Sequence, residues 1–234
     1  MLKKISIGLA TLTALAVAIY IRFLRPWYVR WGATDEEVNQ SIPGDAEVAQ
    51  ANFQSTRAIT MHAQATDIWP WLVQMGQGRG GLYTYTWLEN MVGLRISNVD
   101  QILAEFQHLK VGDIIPLEAG GSGYRVGAIE PNQLLELVIQ PTDSGFMGTV
   151  MKQGNGASTW VYLLHELDSE HTRLIVRWRM RWNPSFKAPI LVLIRLLLAP
   201  VEFVMERKMI LGIKKRAERM SKQISEPAGA TSLN

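Results

Sequence analysis

The chain has 234 residues, of which 47% are hydrophobic and eight are tryptophan, with no cysteine and a formal net charge of +3. The missing cysteines exclude disulfides, thiolate nucleophiles, thiolate zinc sites and iron–sulfur ligation. So small a charge does not point to nucleic acid as a partner.

Between Lys4 and Arg22 runs the uncharged stretch ISIGLATLTALAVAIYI, roughly 25 Å of helix and just long enough to cross a bilayer. Residues 5–21 are therefore expected to form a single-pass membrane anchor. Arg22, Arg25, Trp27, Tyr28 and Trp31 would be its interfacial flank, within residues 1–31. The competing reading is a signal peptide, with Lys3 and Lys4 at its head and cleavage after Ala16-Val17-Ala18. The apolar run continues through Ile19 and Ile21 into Arg22, which favours the uncleaved anchor. Lys3 and Lys4 oppose Arg22, Arg25 and Arg30 almost evenly, and the expected orientation places the domain in the cytoplasm.

Residues 32–52 are polar, acidic and broken by Pro43 and Gly44, which reads as a linker. The alternation over residues 53–63 predicts a first strand, with Arg57, Ile59 and Met61 on one side and Thr56, Ala58 and Thr60 on the other. Helical spacing follows over 64–75, with Thr66 or Asp67 as N-cap and Pro70 in the first turn. Residues 76–93 predict a glycine-rich turn and a helix carrying Trp87, Leu88 and Met91. A helix is expected at 99–106, then strands at 111–117, 124–130 and 134–140, and a hairpin of 157–167 with 172–183. In the last strand Leu174, Val176, Trp178, Met180 and Trp182 alternate with Ile175, Arg177, Arg179 and Arg181, so one face is buried and the other presents a basic strip.

Residues 186–224 predict a closing helix. Its first part, 188–198, is apolar except for Arg195; beyond Pro200 it becomes amphipathic, with Val201, Met205, Met209, Ile213, Ala217 and Met220 on one stripe. Arg195, Pro200 and Glu202 argue against a second membrane span. The domain is thus drawn over 53–224, with a disordered tail over 225–234.

Chemical motifs are sparse. Gly76, Gly78 and Gly81 match the dinucleotide-binding glycine pattern, but they follow a helix instead of a strand, so the pattern reads as a turn. His62, His108, His165 and His171 lack metal-ligand spacing, and no metal or cofactor is expected. No nucleophile elbow or phosphate loop is present. The segment Arg79, Tyr83, Tyr85, Trp87 and Glu89 offers the one acid–base candidate: Glu89 drawn into an apolar pocket, with a tyrosine hydroxyl orienting a carbonyl. The bland alternative is that Tyr83 and Trp87 are core and Glu89 is solvated or paired with Arg79.

A strand ending at Ala63, then ATDIWPWLVQMG, then antiparallel hairpins and a long amphipathic C-terminal helix, together resemble the START-like (SRPBCC) superfamily. The strings RPWYVRWGATDEEV, WLVQMGQGRGGLYTYTWLEN and FVMERKMILGIKKRAE resemble an uncharacterised bacterial subgroup of it. The resemblance implies an α+β helix-grip fold, a curved antiparallel sheet around the C-terminal helix with a cavity between them. The superfamily includes lipid carriers, hormone receptors, polyketide cyclases and oxygenase subunits, and the metal ligands of the oxygenases are not found in this sequence. Carried onto this chain, the resemblance implies a cavity lined by Tyr83, Trp87, Trp160, Tyr162, Trp178, Met180, Met205 and Met209, with Gly212 leaving room. The implied ligand is a lipid-like or polycyclic molecule taken from membrane lipid; the alternative is a cyclase or dehydratase using Glu89 with Tyr83 or Tyr85.

Overall fold

A computed structural model describes residues 8, 11–12, 15–91, 93–143, 145–183 and 188–225, with backbone alone for 145–147, 150, 188–198 and 225. Six strands, β1 (Phe53–Met61), β2 (Ile114–Pro116), β3 (Gly123–Glu130), β4 (Leu134–Ile139), β5 (Ala157–Glu166) and β6 (Thr172–Arg181), form one antiparallel sheet. Their order is β1-β6-β5-β4-β3-β2, so the first strand closes against the last and sits at an edge. The helices are α1 (Arg25–Val29), α2 (Asp35–Asn39), α3 (Ala65–Val73), α4 (Thr86–Met91), α5 (Gly145–Gln153) and α6 (Ala188–Ser225).

The period-two pattern of β6 separates the two faces of the sheet. Leu174 and Val176 join Met61, Leu135, Leu137 and Tyr162 in the main core, against Ile68 and Leu72 of α3 and Met209, Ile213 and Ala217 of α6. The helix therefore lies across the concave face, as a helix-grip architecture requires. The buried side of α6 is Phe203, Glu206, Met209, Ile210, Ile213 and Ala217, whereas Val201 is exposed. This face is rotated from the stripe expected at Val201 and Met205, because Glu206 is drawn inward by a charge on the sheet.

Several expected elements differ. The helix expected at 99–106 shrinks to one turn at Ala104–Phe106. Its backbone is held instead by the buried Gln74, which donates to the Gln101 carbonyl at 3.1 Å and accepts from the Leu103 amide at 2.9 Å. The strand at 111–117 shortens to β2, an edge strand paired with β3 alone. Helix α3 begins after Gln64, not at Thr66 or Asp67, so Pro70 falls inside it at the loss of one backbone bond. Helix α5 was not anticipated from the sequence.

Residues 32–52 are not a free linker. Thr34 and Glu37 form a capping box on α2, and Glu37 also takes two bonds from Arg173, at 2.7 and 2.8 Å. The fully buried Arg177 donates to Asp45 at 2.7 Å and to the carbonyls of Glu37 and Gln40. Arg179 donates to Gln54 and to the Val48 carbonyl. The acidic segment thus covers Arg173, Arg177 and Arg179 of the basic strip, which is not an open charged surface at these positions.

Residues preceding this segment cover the edge of β1. Ala58 donates to the Trp31 carbonyl at 3.1 Å. Gly32, at φ +73°, lies so close that a Cβ there would stand 2.1 Å from the Ala58 oxygen. Tyr28 is buried against Phe203, with ring centroids 5.6 Å apart, so it faces the domain and not an interfacial belt. Of the expected anchor, residues 5–7, 9–10 and 13–14 lie outside the described residues. Among the described residues no helix is long and apolar enough to cross a membrane, so the expected spanning helix is not among the described elements.

Candidate functional site

Strand alternation places Ser158, Trp160 and Tyr162 of β5 beside Val176, Trp178 and Met180 of β6 on the concave face. Trp160 and Trp178 are direct cross-strand partners, and both remain half-buried. Their neighbours extend them into a row: Phe53 lies 4.9 Å from Trp178, and Tyr124 and Tyr162 lie 5.7 and 5.3 Å from Trp160, centroid to centroid.

The polar tips of this row are satisfied. Trp178 Nε1 donates to Ser158 Oγ at 2.8 Å and to the Tyr124 hydroxyl at 3.1 Å. Ser158 Oγ sends its own proton to the Arg179 carbonyl at 2.9 Å, so at their 2.9 Å contact Tyr124 donates to Ser158. Burial pushes the Tyr124 phenol up to about 12 and Tyr162 well above its usual value, which keeps both neutral. The half-buried Met180 and Met205 lie on the same elements, and the Tyr162 hydroxyl reaches Met209 Sδ at 3.6 Å.

A charged cluster adjoins these rings. Arg57 of β1 has no exposed surface, and it donates to both Glu202 oxygens at 2.6 and 2.9 Å and to Glu206. Its Nε donates to the Tyr28 carbonyl at 2.9 Å, and its plane lies over Phe203. The second oxygen of Glu206 accepts from Trp160 Nε1 at 2.7 Å. Two carboxylates thus share one guanidinium. Burial, reinforced by the Glu206 charge and opposed by Arg57, pushes Glu202 up to about 7. Ser55, one inward position before Arg57 on β1 and opposite Trp178, is buried with no hydrogen-bond partner for its hydroxyl among the described residues.

The aromatic segment contributes differently from expectation. Trp87 is 67% exposed and does not reach the concave face. Tyr83 is buried at φ +58°, and its hydroxyl donates to the Trp71 carbonyl at 3.0 Å and accepts from Gln74 at 3.1 Å. Glu89 is buried and accepts from Thr84; its second oxygen has no partner among the described residues, and burial raises its pKa. Tyr83 and Glu89 are therefore committed to separate hydrogen bonds, while the Tyr85 ring packs under Lys208. Gly212 opens no cavity: a Cβ there would stand 2.6 Å from the Tyr83 carbonyl, so the space is filled by the Tyr83 backbone.

Sequence reasoning named Trp160, Tyr162, Trp178, Met180, Met205 and Met209, and the fold brings all six to α6 and the sheet face beneath it. It missed Arg57, Glu202, Glu206, Tyr124 and Ser55. The available signal was charge in phase with an apolar pattern: Arg57 shares its strand face with Ile59 and Met61, and Glu202 and Glu206 stand one turn apart on α6.

Concavities among the described residues include one along Leu211, Lys215 and Lys222 of α6 and one around Pro131, Leu134 and His165. Among the described residues no group of three or more histidine, aspartate or glutamate side chains could hold a metal ion.

No family model and no curated protein matches the chain. Solved structures similar to it include truncated norcoclaurine synthase from Thalictrum flavum, at 14% identity and a TM-score of 0.40 over 70% of this chain and 91% of that one. A hypothetical protein from Helicobacter pylori matches at 10% identity and 0.43, over 76% and 95%. A START superfamily protein from Mycobacterium smegmatis matches at 11% and 0.33, over 73% and 98%. In the order and pairing of its elements, with a six-stranded antiparallel sheet holding a long C-terminal helix, the chain has an α+β helix-grip fold.

Proposed function

We propose that this protein binds a hydrophobic small molecule against the aromatic row of its concave face, beside a membrane that its apolar N-terminal segment engages. One observation carries the reading: Trp160 and Trp178 are half-buried with their indole N–H groups already satisfied, which leaves ring faces as the available contact surface. Large apolar rings beside adaptable methionine side chains suit a lipid-like or polycyclic ligand. The membrane part is supported by the sequence of residues 5–21 and by the exposure of Leu15, Ile19, Ile21, Phe23, Leu24 and Trp27.

Native mass spectrometry of the purified full-length protein tests the binding. A co-purifying hydrophobic compound, lost in Trp160→Ala and Trp178→Ala variants, is expected. A protein that carries none, and whose melting temperature no added lipid raises, ends the reading. Flotation with liposomes tests the membrane part separately, and recovery of the full chain in the bottom fraction would remove it.

A second reading is an acid–base enzyme using Glu89, favoured by that carboxyl's burial and its unpartnered oxygen. It requires a bound ligand to approach Glu89. Isotope-labelled carboxyl NMR, with Glu89→Gln for assignment, should then show the Glu89 signal move on ligand addition; an unmoved signal dismisses this reading.

A further inference from the structure

The charged cluster beneath α6 has a count that the fold alone does not require. Among the described residues Glu202 and Glu206 face a single Arg57, so with both carboxylates ionised the cluster there carries one uncompensated negative charge. A buried unpaired charge is costly and is relieved either by a proton or by a cation of opposite sign. Among the described residues, the charged and titratable groups facing the cluster fit this account. From β1 comes Arg57; from α1 and the turn before it, Tyr28, hydrogen-bonded to Tyr20, and the charge of Arg25; from β3 and β5, the neutral Tyr124 and Tyr162. Arg25 acts on Tyr28 and forms no ion pair with either carboxylate among the described residues, so it does not supply the missing charge.

A second, independent feature points to a ligand. Ser55 Oγ is buried, has no partner among the described residues, and lies on the same strand face as Arg57 beside Trp178. A buried hydroxyl without a partner is costly, and it gains an acceptor role as soon as a donor enters. Trp178, directly opposite it, with Phe53 and Trp160 on either side of that indole, presents π faces that attract cations.

We infer that the ligand of this site carries a cationic amine at one end: an amphipathic alkyl- or arylammonium whose N–H groups reach Glu202, Glu206 and Ser55 and whose apolar body lies on the Trp160–Trp178 row. This deepens the proposed function and rests on it. A neutral or anionic head of the same length leaves the acidic excess uncompensated. Because ammonium and proton compete for the same carboxylates, binding of the amine expels a proton, and its affinity rises with pH through the range in which Glu202 titrates.

Octylamine, octanol and octanoate share one chain and differ only in head charge. Their binding to the full-length protein, followed by tryptophan fluorescence and by calorimetry in buffers of different ionisation heat, tests the inference. Octylamine should bind about tenfold tighter than octanol at pH 8, as one charge-assisted hydrogen bond implies, with octanoate weakest, and at about pH 6, where Glu202 holds its proton, amine binding should release it. Glu202→Gln, which keeps the Glu206–Arg57 pair, should reduce the preference to about threefold or less, and Ser55→Ala should weaken the amine more than the alcohol. Equal binding of amine and alcohol, or a preference for octanoate, overturns the inference while leaving a hydrophobic site intact. Failure of all three probes to bind overturns the proposed function itself.

Discussion

Trp160 of the sheet donates its indole N–H to Glu206 of the C-terminal helix at 2.7 Å, and the other oxygen of that carboxylate is held by Arg57. This one carboxylate ties two strands to the helix from inside the grip, so the contents of the site and the stability of the fold are linked.

Arg57 is the first place to test that link. Replacing it by methionine leaves the buried Glu206 and the half-buried Glu202 facing each other, and a loss of about 3 kcal/mol is expected, the low end for breaking a buried pair at one partner. Adding Glu202→Gln and Glu206→Gln to the same chain should recover more than half of it, because uncompensated charge and not lost packing dominates the cost. Urea denaturation of the single and triple variants measures this. A triple variant no more stable than Arg57→Met would show that packing governs instead.

The titration of Glu202 sets a pH dependence with a definite sign. Its carboxyl moves from 4.5 to about 7 in the folded chain, so the native state holds the proton more tightly than the unfolded state does. Its contribution is complete below about 4.5 and is lost as pH rises through about 7. The urea midpoint should fall across that window, and Glu202→Gln should flatten the fall. Glu37, held below its usual value by Arg173, acts in the opposite sense and weakens the protein only on acidification. A midpoint that rises between about pH 5 and about pH 7 in the unmodified protein would contradict the Glu202 assignment.

On the convex face, Arg177→Met removes the donor that gathers Asp45 and the carbonyls of Glu37 and Gln40. Hydrogen exchange over residues 34–49 should accelerate by about tenfold or more while β5 and β6 stay protected, since local opening draws on few other buried contacts. Unchanged exchange there would mean that Arg173 and Arg179 suffice to hold the segment.

Gly212→Ala tests the contact between α6 and the Tyr83 turn. The added methyl would meet the Tyr83 carbonyl at 2.6 Å, which forces the turn away from the helix. Overpacking of this kind costs about 1–3 kcal/mol, despite alanine's better helix propensity. A thermal melt showing stabilisation would indicate that the turn yields freely.

The local pattern of the sequence determined the strands, the closing helix and the aromatic row. Period-two alternation in β5 and β6 assigns Trp160, Tyr162, Trp178 and Met180 to one face whatever lies above them, and helical periodicity carries α6 to its end. Side-chain demands across long separations decided the rest. Gln74 takes the backbone of Gln101 and Leu103 away from the helix that local spacing favours there. Glu37 and Asp45 look like solvated linker residues until β6 presents Arg173 and Arg177 to them. Arg57, Glu202 and Glu206 lie on amphipathic elements, and only the closing of α6 over β1 buries Arg57 and Glu206 and brings the half-buried Glu202 to the same guanidinium. Hydrophobic periodicity is written within a few consecutive residues, whereas the partner that lets a charge be buried lies 145 positions away along the chain, as Glu202 does from Arg57; that pairing is settled by the tertiary fold.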